Sequence, residues 1–115
     1  IDGALQAEGV ALSDIAEAVD TPVYVYSTAT LKRHVSVLRQ AVESHRSALG
    51  DALIAFAVKA NSNLSVLATL ARQGCGADTV SEGEIRRALR AGVPADRIIF
   101  SGVGKKDAEL AFAVR

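Results

Sequence analysis

The feature that most constrains the fold of this chain is a repeat in which short apolar segments alternate with amphipathic helical patterns. The apolar segments begin near residues 53, 77 and 97, and one helical pattern separates each from the next. Apolar strands joined by helices are typical of a parallel sheet that is buried on both faces. The repeat therefore predicts an α/β fold. Two architectures stay open, an open doubly wound sheet and the first part of a (β/α)8 barrel, because a complete barrel needs about 250 residues.

Cap and turn residues divide the chain into elements. Asn63 and Ser81 are predicted helix N-caps, Gly74 and Gly92 fit the position after a helix, and Glu84 completes a Ser-x-x-Glu capping box with Ser81. The predicted elements are an amphipathic, partly helical segment at 5–19, a strand at 23–26, a helix at 29–48, a buried strand at 52–58, a helix at 64–73, a strand at 77–80, a helix up to 91, a strand at 97–100 and a helix from 106.

Composition excludes several classes of function. The 13 Lys and Arg residues balance 13 Asp and Glu residues, so a basic surface for nucleic acid is not expected. No apolar run approaches the roughly 20 residues that span a bilayer, so no membrane partner is expected. Cys75 is the one cysteine, which rules out an intrachain disulfide and favours a reducing, cytoplasmic location. His34 and His45 have no acidic or cysteine cluster beside them, so no metal site is predicted.

Polar clusters follow the three predicted strands, at residues 59–63, 81–84 and 101–105. Ligands bind at the carboxyl ends of strands in parallel α/β folds. Lys59 directly follows the apolar run 52–58, and apolar surroundings disfavour the charged form of an amine. A neutral lysine amine can attack an aldehyde, and Asp78 in the next strand is placed to pair with it. The competing interpretation is that Lys59 is a solvated strand cap and that Asp78 binds loop amides.

Four motifs add to this hypothesis. Phe-Ala-Val-Lys-Ala-Asn-Ser-Asn stands at 56–63, and the others are Thr-Pro-Val-Tyr-Val-Tyr at 21–26, Gly-Ala-Asp-Thr-Val-Ser-Glu-Gly-Glu at 76–84 and Ile-Ile-Phe-Ser-Gly-Val-Gly-Lys at 98–105. The first resembles the lysine motif of the fold-type III pyridoxal-phosphate (PLP) decarboxylases. The other three resemble, in the same order, the branch of that family that acts on diaminopimelate. The resemblance extends from about residue 16 to residue 110.

The resemblance implies a partial (β/α)8 barrel of the alanine-racemase type, preceded by an N-terminal strand and helices. Residues 1–26 would be the N-terminal segment and strand that join a β domain, and residues 27–115 the first part of the PLP-binding barrel. Lys59 would be the catalytic lysine that forms a Schiff base with PLP. Asp78 would also contact the cofactor, and Glu84 and Asn61 would support the site. Glu82 departs from the family pattern, in which glycine is common.

The same resemblance implies decarboxylation of meso-2,6-diaminopimelate to L-lysine by a homodimer. The absence of an initial Met and the end of the chain inside a helical pattern indicate an incomplete protein, and this piece alone is expected to be inactive. Decarboxylases of carboxynorspermidine, ornithine or arginine are the main alternatives. An amino-acid racemase fits less well. A non-catalytic or regulatory homologue is the alternative from another class, and a nucleotide-binding doubly wound domain is the plainest structural one.

Overall fold

A computed structural model of the chain describes residues 3–115, and it has the α/β organisation that the sequence predicts. In chain order the elements are β1 (Gln6–Ala7), β2 (Val10–Ala11), α1 (Leu12–Val19), α2 (Thr28–Glu43), α3 (Arg46–Leu49), β3 (Ala55–Ala57), α4 (Leu64–Arg72), β4 (Gly76–Thr79), α5 (Glu82–Arg90), β5 (Ile98–Phe100) and α6 (Asp107–Ala113). Single 3₁₀ turns at Val58–Ala60 and Ala95–Arg97 follow β3 and precede β5. Within residues 3–115, no helix is long and apolar enough to cross a membrane.

The central sheet has three parallel strands in the order β3–β4–β5. Its register aligns Phe56 with Ala77 and Ile98, and these three side chains lie on the face that packs against the helices. Side chains alternate between the two faces of a strand. Asp78, aligned with Ile99, therefore belongs to the opposite face. Ile99 is 47% exposed, which shows that the described residues leave that second face largely uncovered.

The main hydrophobic cluster lies between the sheet and the helices α4 and α5. Its buried members are Val58, Leu67, Ala77, Ala88 and Val93. A second cluster joins α4 to α2 and consists of Val66, Leu70 and Cys75, with Leu31 and Val35 packed against it. Burial raises the pKa of the Cys75 thiol, as expected for a cysteine that serves as a small packing residue.

The predicted caps of α4 and α5 are present. Asn63 Oδ1 accepts from the amides of Ser65 and Val66 at 2.9 and 3.3 Å, and Ser81 Oγ accepts from the Glu84 amide at 3.3 Å. The second half of the capping box differs from the prediction, because Glu84 Oε2 accepts from the Val80 amide at 2.8 Å. Val80 follows the last residue of β4, so its amide lies beyond the hydrogen-bond ladder of the sheet. It donates to the Glu84 carboxylate.

Three stretches in the first half of the chain differ from the predicted elements. Residues 6–11 form the two short antiparallel strands β1 and β2, which the pattern at 5–19 does not indicate, whereas the helical part of that segment is present as α1. Glu8, at the turn between them with φ 60°, accepts from Ser27 Oγ at 2.9 Å and the Ala29 amide at 2.7 Å, a tertiary contact that local periodicity cannot reveal. The Ala29 amide and then the Ser27 hydroxyl hold the pKa of Glu8 below its usual value.

The other two differences concern 23–26 and the long helix. Residues 23–26 belong to no strand in the described part of the chain, since β-branched and aromatic residues form a strand only where a partner strand is available. The helix predicted over 29–48 divides into α2 and α3. At the break, Ser44 Oγ donates to the Ala41 carbonyl at 2.8 Å and His45 Nδ1 lies 2.9 Å from the same oxygen, so side chains occupy a carbonyl at the helix end.

The packing of β4 against β5 yields a first test. A Cβ at Gly76 would lie 2.4 Å from the backbone oxygen of Arg97, whereas a Cβ at Gly83 would have Ser81 Oγ as its nearest neighbour, at 3.9 Å. Gly76→Ala is expected to lower the free energy of unfolding of the full-length protein by about 1–3 kcal/mol, because the strands must separate. Gly83→Ala, on helix α5, is the matched control and is expected to be neutral or to stabilise by up to about 1 kcal/mol. Urea unfolding of the two variants measures both, and equal effects would contradict this packing.

Candidate active site at the carboxyl edge of the sheet

Lys59 stands at the carboxyl edge of the sheet, in the 3₁₀ turn Val58–Ala60 that directly follows β3. The preceding residue, Val58, is fully buried in the main hydrophobic cluster. The Asn61 amide donates to the Val58 carbonyl at 3.1 Å and closes the turn. The buried valine thus fixes where the lysine backbone leaves the core, and α4 begins five residues after Lys59, at Leu64.

The surroundings of Lys59 differ from the apolar enclosure that the sequence predicts. The residue is exposed, because the face of the sheet opposite the helices is not covered by residues 3–115. Within that range no hydrogen bond or ion pair engages the Lys59 amine. The amine is therefore available to a ligand that enters from the uncovered face.

Asp78 lies in β4, aligned with Ala57 of β3 and Ile99 of β5. The expected pairing of Asp78 with Lys59 does not occur among the described residues. Instead, Asp78 Oδ1 accepts a hydrogen bond from Ser101 Oγ at 2.5 Å. The carboxylate is half-buried, and the strand that follows in the sheet supplies its partner.

Asn61 and Glu84 fix the loops that follow β3 and β4, next to Lys59 and Asp78. Asn61 Oδ1 accepts from the Asn63 amide at 3.0 Å, a local bond that bends the chain between Lys59 and α4. Glu84 binds the Val80 amide and so secures the connection between β4 and α5. Both side chains therefore have a structural function in this chain: Asn61 lies in the loop after Lys59, and Glu84 lies in the first turn of α5.

The third loop, which follows β5, folds back on itself. Gly102 and Gly104 have φ values of 87° and 73°, which favour glycine. Lys105 Nζ donates to the Gly102 carbonyl at 2.5 Å and lies 4.9 Å from the centre of the Phe100 ring. This lysine is thus occupied by its own loop and by a cation–π contact, unlike Lys59.

Ser101 is the residue of this edge that the sequence does not single out, although its hydroxyl donates to Asp78. It was grouped with the loop after the third strand, with no partner assigned. The alternation of side chains along a strand is the signal that could identify it. Because β5 runs parallel to β4, the side chains at 99 and 101 lie on the same face as Asp78. Among the described residues there is no group of three His, Cys, Asp or Glu side chains arranged to hold a metal ion.

Taken together, the carboxyl edge holds an unengaged primary amine, a half-buried carboxylate and a hydroxyl that fixes one oxygen of that carboxylate. A lysine amine at such an edge can attack a carbonyl carbon, and a carboxylate nearby can orient or exchange a proton with a bound amine. Ala57, aligned with Asp78, has a small side chain and leaves space above the sheet. The arrangement suits a ligand with a reactive carbonyl group.

Comparison with known proteins agrees with this chemistry. The sequence profile of the family described as "Pyridoxal-dependent decarboxylase, pyridoxal binding domain" matches residues 35–115. A diaminopimelate decarboxylase from Vibrio cholerae is 50% identical over 114 residues, which are 99% of this chain and 26% of the relative. One from Pseudomonas fluorescens is 54% identical over 103 residues, 90% of this chain and 24% of the relative. The chain therefore spans about a quarter of the length of these curated relatives.

Solved structures show the same fold. The crystal structure of diaminopimelate decarboxylase from M. jannaschii matches with a TM-score of 0.92 and 33% identity, over 98% of this chain and 26% of that one. A second structure of that protein, in complex with L-lysine, matches at a TM-score of 0.92 and 34% identity over the same shares of the chains. These likenesses cover both the sheet and the N-terminal elements of the present chain.

The bond between Glu84 and the Val80 amide gives a second test. Glu84→Ala leaves that half-buried amide without its partner, so we expect a loss of about 1–3 kcal/mol in the free energy of unfolding of the full-length protein. Glu84→Gln keeps an acceptor oxygen at the same position and serves as the control, with a distinctly smaller loss. Urea unfolding measures stability, and hydrogen exchange at Val80 reports the bond itself. Equal losses in the two variants, with unchanged exchange at Val80, would show that this bond does not hold the loop.

Proposed function

The chain belongs to the pyridoxal-dependent decarboxylase family, and on that premise we propose that it is part of a diaminopimelate decarboxylase, which releases CO₂ from meso-2,6-diaminopimelate and leaves L-lysine. The observation that carries this proposal is the extent of likeness to proteins named diaminopimelate decarboxylase. Identity is 44% over 98% of the chain for the Aquifex aeolicus relative and 54% over 90% for the Pseudomonas fluorescens relative. The lysine-bound structure from M. jannaschii supports an amino-acid substrate of the same kind.

The residues at the carboxyl edge fit pyridoxal phosphate as the cofactor. The cofactor needs an amine that can hold its aldehyde carbon, and Lys59 offers one that no other described residue engages. When bound, pyridoxal phosphate supplies an electron sink for the electron pair that departing CO₂ leaves on the α-carbon. We assign Lys59 as the catalytic and cofactor-holding residue and Asp78 as a cofactor-binding residue. Glu84 and Asn61 support them by fixing the loops on which the site stands.

The chain's own residues contribute position and proton control. The buried Val58 holds the Lys59 backbone at the rim of the sheet, so the amine can shift by side-chain rotation alone. Asp78 presents a carboxylate on the same face, with Oδ1 bound to Ser101. Its second oxygen, Oδ2, accepts no hydrogen bond from residues 3–115 and is available to an amine. These two groups define where the reacting nitrogen atoms must lie.

We further propose that the three-stranded sheet is the beginning of a (β/α)8 barrel. Support comes from its all-parallel order and from the one face that carries the helices. Among the described elements, β3 and β5 each have only one strand neighbour, so further strands can continue the sheet at both edges. Residues 27–115 would then form the first part of the cofactor-binding barrel. Residues 1–26 would form the segment that joins a β domain; Ile1 and Asp2 lie outside the described residues.

A homodimer and a cytoplasmic location complete the proposal. The single cysteine, buried and unpaired, supports a reducing compartment.

Ornithine and arginine decarboxylases are weaker candidates, because lysine/ornithine decarboxylase from Vibrio vulnificus and a viral arginine decarboxylase are each only 24% identical to this chain and show the fold alone. A non-catalytic homologue would have no need of an accessible lysine at the end of β3.

Covalent attachment at Lys59 is the third prediction. When the full-length protein is incubated with pyridoxal phosphate and reduced with borohydride, peptide mapping is expected to find the modification on Lys59. Lys59→Arg should abolish both the attachment and the decarboxylase activity, because a guanidinium is always protonated and is not a nucleophile here. Lys32→Arg, an exposed position on α2, is the matched control and should keep both. Labelling of another lysine, or an active Lys59→Arg variant, would contradict the assignment.

Substrate choice is the fourth prediction. The full-length enzyme should release CO₂ from meso-diaminopimelate with a kcat/KM at least about 100-fold above that for ornithine or arginine, because a site built for a second polar amino-acid head discriminates strongly against ligands that lack it. The measurement is CO₂ release from each of the three amino acids by the same enzyme preparation. A higher kcat/KM for ornithine or arginine, with attachment still at Lys59, would contradict the proposed substrate and assign the protein as the corresponding decarboxylase.

A further inference from the structure

We propose that Ser101 is a positioning residue that acts through Asp78. It would hold the Asp78 carboxylate so that Oδ2 faces the place beside Lys59 where an amine would bind. The inference rests on the proposed function, and it assigns a role to a residue to which the family resemblance gives none. Ser101 is half-buried and directly follows β5, and its hydroxyl donates to Asp78 Oδ1 at 2.5 Å.

The backbone around Ser101 is held from two sides, so the hydroxyl is fixed before any ligand arrives. The Ser101 amide donates to the Thr79 carbonyl at 2.8 Å, which extends the β4–β5 ladder by one bond. Gly102 then turns with φ 87°, and its α-carbon packs so closely that a Cβ there would lie 3.2 Å from the Val80 Cβ. A hydroxyl on such a fixed backbone can restrict the rotamer of its partner, which is how supporting residues preorganise a site.

The bond also determines which carboxylate oxygen remains for the ligand. Because Oδ1 accepts from Ser101, Oδ2 is the oxygen that residues 3–115 leave without a hydrogen bond. Asp78 lies on the uncovered face, aligned with Ala57, two residues before Lys59. A carboxylate with one oxygen secured has one direction in which to receive a proton or an N–H group. Without the serine, the same carboxylate can rotate and present either oxygen.

A neighbouring hydroxyl shows how a purely structural residue differs. Thr79 is fully buried, and its Oγ1 donates to the Ile99 carbonyl at 2.9 Å. That bond ties β4 to β5 within the helical side of the sheet and involves no titratable group. Ser101 spans the same two strands, but its partner is a carboxylate at the candidate site. Thr79→Val is therefore a matched control that removes a hydroxyl from the same strand pair.

The test is a double-mutant cycle on the full-length holoenzyme, with Ser101→Ala, Asp78→Asn and the double variant. Ser101→Ala is expected to lower kcat by about 10- to 100-fold, the range in which misplaced catalytic groups fall, with little change in KM. The double variant should be no worse than Asp78→Asn, because the serine acts through the aspartate. Ser101→Thr, which keeps the hydroxyl, should recover most of the loss, and Thr79→Val should lower stability while kcat stays near that of the wild type.

A second readout does not depend on activity. In crystals of the cofactor-free full-length protein, the Asp78 carboxylate should occupy one position in the wild type and in Ser101→Thr, and should turn or occupy several positions in Ser101→Ala. An unchanged Asp78 in Ser101→Ala, or losses of kcat that multiply in the double variant, would overturn the proposal. Failure of the proposed function looks different, since the wild type would then show no attachment at Lys59 while the Asp78 position could still be compared between variants.

Discussion

Burial of Val58 beneath α4 and α5 is the constraint on which the candidate site depends. This side chain directly follows β3 and lies inside the hydrophobic core, and the next residue is Lys59. The parallel register then sets the positions of the other two residues, because Ala57 is aligned with Asp78 and Asp78 with Ile99, two residues before Ser101. Lys59, Asp78 and Ser101 thus lie at one edge of the sheet, although about twenty residues of sequence separate each from the next.

The two faces of the sheet have different roles. The face with Phe56, Ala77 and Ile98 holds the chain together through its packing against the helices. The opposite face carries Asp78 and is left open by the described residues, as its exposed Ile99 shows. Stability and chemistry can therefore vary with some independence. Gly76 lies against the backbone of the neighbouring strand, whereas Ser101 contacts a carboxylate on the open face.

Sequence reasoning succeeded where local chemistry decides the structure. Helix α4 begins at Asn63 because its side chain accepts the first free amides. It failed where distant partners decide, as at Glu8, whose contact with α2 no local pattern reveals, and at 23–26, where no partner strand is present among the described residues. In the site, the motif around Lys59 is recognisable from sequence. The partner of Asp78 is not, because Ser101 lies two residues after Ile99, the residue aligned with Asp78, and that alignment is known only from the strand register.

The central claim is that Lys59 holds the cofactor at this edge of the sheet. A crystal structure of the full-length protein with pyridoxal phosphate tests it most directly. The account predicts continuous electron density between Lys59 Nζ and the aldehyde carbon of the cofactor, with the ring above the face that carries Asp78. Cofactor bonded to a different lysine, or bound away from the carboxyl ends of β3, β4 and β5, would contradict it.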